Sequence, residues 1–298
     1  MTGVPLTLPP SGLRLAHGVR SLALAWLEAR PVVLMVFALR FLVGGMLSRE
    51  APTDGVRGAE GGVAWLLSVW FVYLLNGIFD IAGDRRNGST RPLASGALDR
   101  RFAANLCAVL ATASLAIATL VGFEFALGAA VMLVLGVVYS VGTGAAKKSA
   151  FMALFVAASG STLTYLAGSE AFTSRASFPS VAFAVVTGLW IAVAGHTKDF
   201  GDTAGDRQEG RRTLPILVGD RVARILIAWA ALVVGACGAI VGLVVPRVPT
   251  LSFLLPGSVA LFVVLRARSR RSSRSAEKRP YRTFMLVQYA VNATAIIW

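Results

Sequence analysis

Charge is scarce in this 298-residue chain, and cysteine is nearly absent. Charged side chains make up 15 % of the residues, where an ordinary soluble domain carries about a quarter. With 56 % apolar residues and a mean hydropathy of +0.69, that shortage argues against a conventional water-soluble domain and for several membrane crossings. The two cysteines, Cys107 and Cys237, both fall in apolar runs, so neither a disulfide nor a zinc site is expected. His17 stands alone and carries no metal argument. The chain does not open with a basic, apolar, small-residue progression, so no cleavable signal peptide is expected. Acids are scarcer than bases, 15 against 29, for a formal charge of +14. The bases sit in loops between apolar runs, which is the positive-inside pattern of a membrane protein, and no nucleic-acid partner is expected.

Apolar segments lie at roughly 31–48, 61–79, 104–122, 124–142, 150–169, 179–197, 222–245, 251–266 and 282–298. Each is near the length of about twenty residues that crosses a hydrocarbon core. The expected fold is therefore all-α: a multispanning membrane bundle of about nine transmembrane helices around a central cavity. Residues 31–298 form one intramembrane domain. Residues 1–30 form a cytoplasmic or interfacial segment: a disordered stretch 1–10, then at 11–30 either an amphipathic surface helix or a plain charged tail. Of the 29 bases, 24 fall in 1–30, 80–103, 143–149, 198–224 and 266–282; the opposite loops hold Arg49, Arg57, Arg175 and Arg247. That asymmetry predicts a multi-pass membrane protein whose acidic loops face the cytoplasm. The basic run 266–282 is read as fixing topology, with anionic-lipid binding as a second reading.

Two polar stretches interrupt this pattern. The first, 76–96, reads NGIFDIAGDRRNGSTRPLASG. Asn76, Asp80 and Asp84 recur every four residues, an arc of about 80° on a helix, so their oxygens converge on one face. Hard cations such as Mg²⁺ take such oxygens and bridge carboxylates to substrate phosphates. A solvated helix end with ordinary loop charge explains this stretch alone equally well. The second, 198–215, reads KDFGDTAGDRQEGRRTLP. Asp199, Asp202 and Asp206 span about 60° if the preceding helix continues through them. Two facing acidic clusters can hold more than one divalent ion with a diphosphate between them.

An Asn-x-x-x-Asp-x-x-x-Asp followed by Thr-Arg-Pro-Leu-x-x-Gly resembles the first aspartate-rich motif of the UbiA-type intramembrane prenyltransferases. Lys-Asp-x-x-Asp-x-x-Gly-Asp-x-x-x-Gly-x-Arg-Thr-Leu-Pro resembles their second, and Tyr139-Ser140 with Lys147 is similar to the patch between them. Gly77 departs from the pattern, since many members carry an additional Asp there, which makes the first site one carboxylate poorer. The resemblance implies Mg²⁺-dependent ionisation of a polyprenyl diphosphate inside the membrane. Asn76, Asp80 and Asp84 would then hold one ion, and Asp202 with Asp206 another. Asp199 either ligates metal or orients Lys198. Lys147, Lys198, Arg91 and Arg30 are candidates to grip the phosphates. Tyr139 orients the allylic carbon or an acceptor, or is an interfacial anchor. Arg85, Arg86, Arg211 and Arg212 are read as ordinary cytoplasmic charge, and Trp70, Phe71, Trp190 and Phe200 as available to line the tail groove.

The leading function is transfer of the prenyl group to a small, aromatic acceptor. An intramembrane terpene cyclase using the same ionisation site is the alternative. An ion-coupled transporter ranks low, because its acids belong near mid-membrane on broken helices. No obligate protein partner is expected beyond lipid, prenyl diphosphate and acceptor. Arg40 sits about ten residues into the first span, where a charge costs at least about 2.5 kcal/mol. It either recognises an acceptor carboxylate or the diphosphate, or pairs with a helix carbonyl, Glu124 or Glu170.

Overall fold

The structure, a computed structural model, describes residues 11–48, 54–267 and 274–298, with side chains from Gly18 onward except those of 274 and 275. The stretch 1–10, the His17 side chain and the centre of the basic run lie outside the described residues. Among the described residues there is no strand, and the helices occupy the nine predicted apolar segments.

Helix starts are written into the loops. Asp54 accepts from the amides of Val56 and Arg57 to begin α3 (Gly55–Arg86). Asp99, Ser149 and Ser177 cap α5 (Arg100–Val121), α7 (Ala150–Thr173) and α8 (Phe178–Ala194) in the same way. Each cap satisfies amides that have no partner within their own helix. Helix α1 (Ser11–Glu28) meets α2 (Pro31–Leu47) at a 71° bend. Arg30 takes the left-handed conformation there (φ 59°) and Pro31 opens the next helix. Short α4 (Pro92–Ser95) follows α3, and α6 (Phe123–Ser140) follows α5 directly after Gly122.

Short α9 (Thr203–Gln208) and α10 (Leu214–Val218) lead to α11 (Asp220–Val244), α12 (Leu254–Arg266), α13 (Arg274–Glu277) and α14 (Arg279–Ile297). Among the described residues, seven helices are long and apolar enough to cross a membrane by themselves, or eight counting the bent α1–α2 pair. The predicted count of nine is therefore approximate. Helix α2 has 17 residues, and α14 carries Arg279, Arg282, Gln288 and Asn292.

Lipid tails are as apolar as leucine, so helices in a bilayer are held by close packing and by hydrogen bonds. Both are visible. A Cβ on Gly44 would overlap the Tyr165 carbonyl, and one on Gly168 would overlap that of Phe41. Helices α2 and α7 thus cross backbone to backbone. Trp65 Nε1 donates to Thr164 (3.2 Å), Trp190 Nε1 to Ser258 (3.1 Å) and the Tyr165 hydroxyl to Asn292 (2.8 Å). Large apolar residues such as Leu120, Phe151 and Leu243 face outward.

Arg40 is buried and bonds to Gln288 of α14, with its guanidinium 4.8 Å from the Phe37 ring. The expectation of Glu170 as its partner is corrected: Glu170 pairs with Arg57 at 3.1 Å. An asymmetry follows. Arg40→Leu leaves one amide oxygen unpaired, a cost of about 1–3 kcal/mol. Gln288→Leu takes a hydrogen-bond acceptor from a buried cation, which costs more, about 3 kcal/mol or above. The double substitution removes both groups and is expected to recover most of the loss, read as thermal unfolding in detergent.

Candidate active site

The first motif ends α3. Asn76 Nδ2 donates to Asp80 Oδ2 at 2.7 Å. Asp80 Oδ1 receives Lys147 Nζ at 2.8 Å and Arg211 Nη2 at 3.0 Å. Asp84 Oδ2 receives Arg91 Nη1 at 2.7 Å. The two cations on Asp80 come from different loops that are tied together. Arg212 N donates to Lys148 O (2.8 Å) and Ala150 N to Arg212 O (3.0 Å), forming an isolated bridge between Ser149 and Arg212. This bridge sets Lys147 and Arg211 side by side.

The second motif departs from the helical expectation. Residues Gly195–Gly201 form a tighter 3₁₀ run, the backbone breaks at Asp202, and α9 restarts at Thr203. The three aspartates therefore do not share one helical arc. Asp199 and Asp206 are buried, while Asp202 is exposed. Asp199 lies 3.6 Å from His196, a neighbour the sequence reading passed over. Lys198 Nζ donates to the Tyr139 hydroxyl at 2.9 Å, so two residues assigned separately act as one contact.

Arg211 joins the motifs. Besides Asp80 it reaches Asp206 at 3.5 Å and Glu209 at 2.8 Å, and Glu209 in turn pairs with Arg86 at 2.9 Å. A Cβ on Gly83 would overlap the Glu209 carboxylate, so a bare backbone on α3 permits this closure. The reading of Arg211 as ordinary cytoplasmic charge is corrected. Arg85, Arg86 and Arg212 are exposed: Arg85 donates to the Ala94 carbonyl (2.9 Å), Arg86 pairs with Glu209, and Arg212 binds through its backbone. Burial opposes the charge on Arg211, yet Asp80, Glu209 and Asp206 hold its guanidinium above the ordinary value. Burial pushes the Asp206 carboxyl up to about 6, with Asp199 and Asp202 adding to the shift and Arg211 opposing it.

Of these groups Asn76, Tyr139 and Lys198 line a cavity of about 190 Å³. Arg30, Asn76, Tyr139, Lys198 and Tyr281 line its polar end. Arg40, Met132, Gly160 and Gln288 lie deeper, about 15 Å down from Arg30 to Arg40 by helical rise. Phe37, Tyr73 and Phe284 supply its aromatic wall. Trp70, Phe71, Trp190 and Phe200, predicted for that role, pack elsewhere: Trp190 stacks on Phe284 at 5.2 Å and Trp70 meets Trp26 edge-on.

Asn76 at the cavity's polar end and the Asp80 carboxylate bonded to it offer amide and carboxylate oxygens, the set that suits a hard divalent cation. Asn76 Oδ1 is buried without a hydrogen-bond partner, an orphaned oxygen of the kind such an ion would satisfy. Among the described residues no three acidic side chains converge closely enough to ligate a metal together. Lys147, Arg91 and Arg211 neutralise them instead.

The sequence profile of the UbiA prenyltransferase family matches residues 37–288. A digeranylgeranylglyceryl phosphate synthase of Halobacterium salinarum is 31 % identical over 209 residues, 69 % of this chain and 70 % of that protein. A UbiA homologue from Archaeoglobus fulgidus bound to GPP and Mg²⁺ superposes with a TM-score of 0.70 at 19 % identity, covering 91 % of this chain and 99 % of that one. The apo structure of a UbiA homologue from Aeropyrum pernix K1 gives 0.63 at 19 % identity, covering 88 % and 96 %. The apolar helices, the paired acidic motifs and these similarities agree: the chain is an integral membrane protein of the UbiA prenyltransferase family, an enzyme acting on prenyl diphosphates.

Proposed function

We propose that this enzyme ionises an allylic prenyl diphosphate with the help of Mg²⁺ and transfers the prenyl group to a small acceptor, from a site open to the cytoplasm. The observation that carries the reading is Asp80. It is bonded to Asn76, which lines the polar end of the apolar cavity, and is held at once by Lys147 and the Arg211 that reaches the second motif. Asn76, Asp80 and Asp84 on one side, and Asp199, Asp202 and Asp206 on the other, would hold the metal. Bound Mg²⁺ would stabilise the negative charge that grows on the departing diphosphate.

The chain's own bases share that work. Lys147, Arg211, Arg91, Lys198 and Arg30 are donors suited to phosphate oxygens, and fixed donors act most strongly where charge develops. Tyr139 is oriented by Lys198 toward the cavity they both line. The apolar wall holds the tail and keeps water from the allylic cation. Arg40 lines the deeper part of the cavity, so a positive charge migrating down the tail toward it would be repelled. That favours capture at the ionised carbon by an acceptor over cyclisation. The name of the Halobacterium relative suggests a phosphate-bearing glyceryl acceptor beside the aromatic class.

Incubating membranes with prenyl diphosphates of several lengths, with and without Mg²⁺ and each acceptor class, tests this reading. Prenylated acceptor formed only with Mg²⁺ is expected. A hydrocarbon released equally well without acceptor would establish the cyclase instead. For orientation, Ser95→Cys is expected to resist a membrane-impermeant thiol reagent applied from outside, and Ala176→Cys to react. Labelling at position 95 would reverse the topology.

The raised Asp206 carboxyl has a consequence for pH. Below about 4 it is protonated whether the chain is folded or not; between there and about 6 only the folded chain keeps the proton. The stability gained from that proton is lost as pH rises through about 6. A metal ligand must give up its proton, so metal binding moves the opposite way. The Mg²⁺ concentration giving half-maximal activity is expected to be about tenfold higher at pH 5 than at pH 7, one proton per pH unit. An aspartate near its ordinary 3.8 would give a flat profile.

A further inference from the structure

Glu28 ends α1 and is fully buried, yet it belongs to neither acidic motif. Its backbone is fixed against α3, since Trp70 Nε1 donates to the Ala25 carbonyl (3.3 Å) and Trp26 packs edge-on to Trp70 at 5.2 Å. The carboxylate serves the loop after α3. Oε2 accepts from the Leu93 amide at 2.9 Å, and Oε1 lies 2.6 Å from Arg91 Nη2. The Oε1 contact is an ion pair without an aligned hydrogen bond, and Nη2 donates one of its two hydrogens to the Glu28 carbonyl at 2.9 Å. Through Nη1 the same guanidinium reaches Asp84 Oδ2 at 2.7 Å.

Gly77 makes room for this arrangement. A Cβ there would overlap Glu28 Oε1 and stand 3.1 Å from Arg91 Nη2. Helix α3 thus has a notch one residue after Asn76, filled by a carboxylate from another helix. The charge count gives the notch a purpose. Arg91 with Asp84 alone would be a neutral pair, and the guanidinium would compete with any cation for the aspartate. With Glu28 behind it the trio carries one net negative charge, and Arg91 is anchored from the far side.

On the reading given under Proposed function, we propose that Glu28 is a positioning residue for the first motif. It holds and neutralises Arg91 so that Asp84 stays available to a divalent cation, supplying through space the carboxylate that position 77 lacks. Groups that orient and tune metal ligands in this way are worth about ten- to a hundredfold in metal affinity.

The test is Mn²⁺ binding to the purified full chain in detergent, with free Mn²⁺ followed by electron paramagnetic resonance and folding by thermal melting. Glu28→Gln keeps the shape and removes the charge; Mn²⁺ affinity is expected to fall at least about tenfold. Gly77→Ala attacks the same contact from the other side, keeping every charge while pushing Glu28 off Arg91. It is expected to weaken Mn²⁺ likewise, and it decides the matter if Glu28→Gln does not fold. In the double variant Glu28→Ala with Gly77→Asp, the emptied notch receives a carboxylate from α3, and most of the lost affinity should return. A variant that folds with wild-type Mn²⁺ affinity, or a folded double variant without recovery, overturns the role of Glu28 alone. A wild-type chain that takes up no Mn²⁺ overturns the metal reading itself.

Discussion

Asp80→Asn is expected to lower turnover by about a hundredfold or more, the scale seen when one preorganised electrostatic partner of a transition state is removed. The substitution preserves shape, and the contact with Asn76 is kept once Asn76 turns its free Oδ1 to the new amide nitrogen, so the fold should persist. What is lost is the charge that Lys147 and Arg211 share at 2.8 and 3.0 Å. Both cations would then sit against a neutral amide, and the first motif would offer a weaker ligand when the diphosphate charge is greatest. An interaction that matters most as the bond breaks shows in kcat more than in KM. Single-turnover kinetics on inserted, folded protein measure this directly. Near-normal turnover would mean that Asp80 is a structural ion-pair partner only.

Arg211→Gln is expected to reduce kcat/KM for the prenyl diphosphate by about a hundredfold, because truncating one partner of a buried charge network costs several kcal/mol. Arg211 faces Asp80, Asp206 and Glu209 together, and without it those three carboxylates lose the cation they share. Arg211→Lys should recover only part of the loss, since an ammonium cannot reach several carboxylates as a planar fork does. Arg212→Gln is the control. Its side chain is exposed and its structural contribution is made by backbone atoms, so an effect within about twofold is expected, as for other surface substitutions. Equal losses at 211 and 212 would contradict the assignment.

These two residues also show where the sequence is legible. A bilayer imposes length and composition on every span, so the nine apolar segments and the acids at their ends stand out without any knowledge of packing. Asp80 is legible for that reason, a carboxylate where an apolar run ends, whereas Lys147 stands out only through the resemblance to the family's motifs. Partners are not legible. Arg211 meets Asp80 across 131 residues and Arg40 meets Gln288 across 248, and nothing in local spacing tells Arg211 from Arg212. Arg40 was conspicuous because a mid-span charge is costly, but the cost says only that a partner exists. The break at Asp202 was missed because helical periodicity was extended through Gly195 and Gly201. Glu28 lies in the 11–30 stretch, where sequence offers only an amphipathic surface helix or a charged tail, and only the fold brings it to Arg91, 63 residues on.

The central claim is that the two acidic motifs act as one unit on one diphosphate. The most direct measurement is a double-mutant cycle of single-turnover rates for Asp80→Asn, Asp206→Asn and the two combined. Groups that work as a unit are strongly non-additive. The combined variant is expected to be little slower than the slower single variant. A combined loss equal to the product of the two separate losses would show that the motifs act independently, and would contradict the shared site.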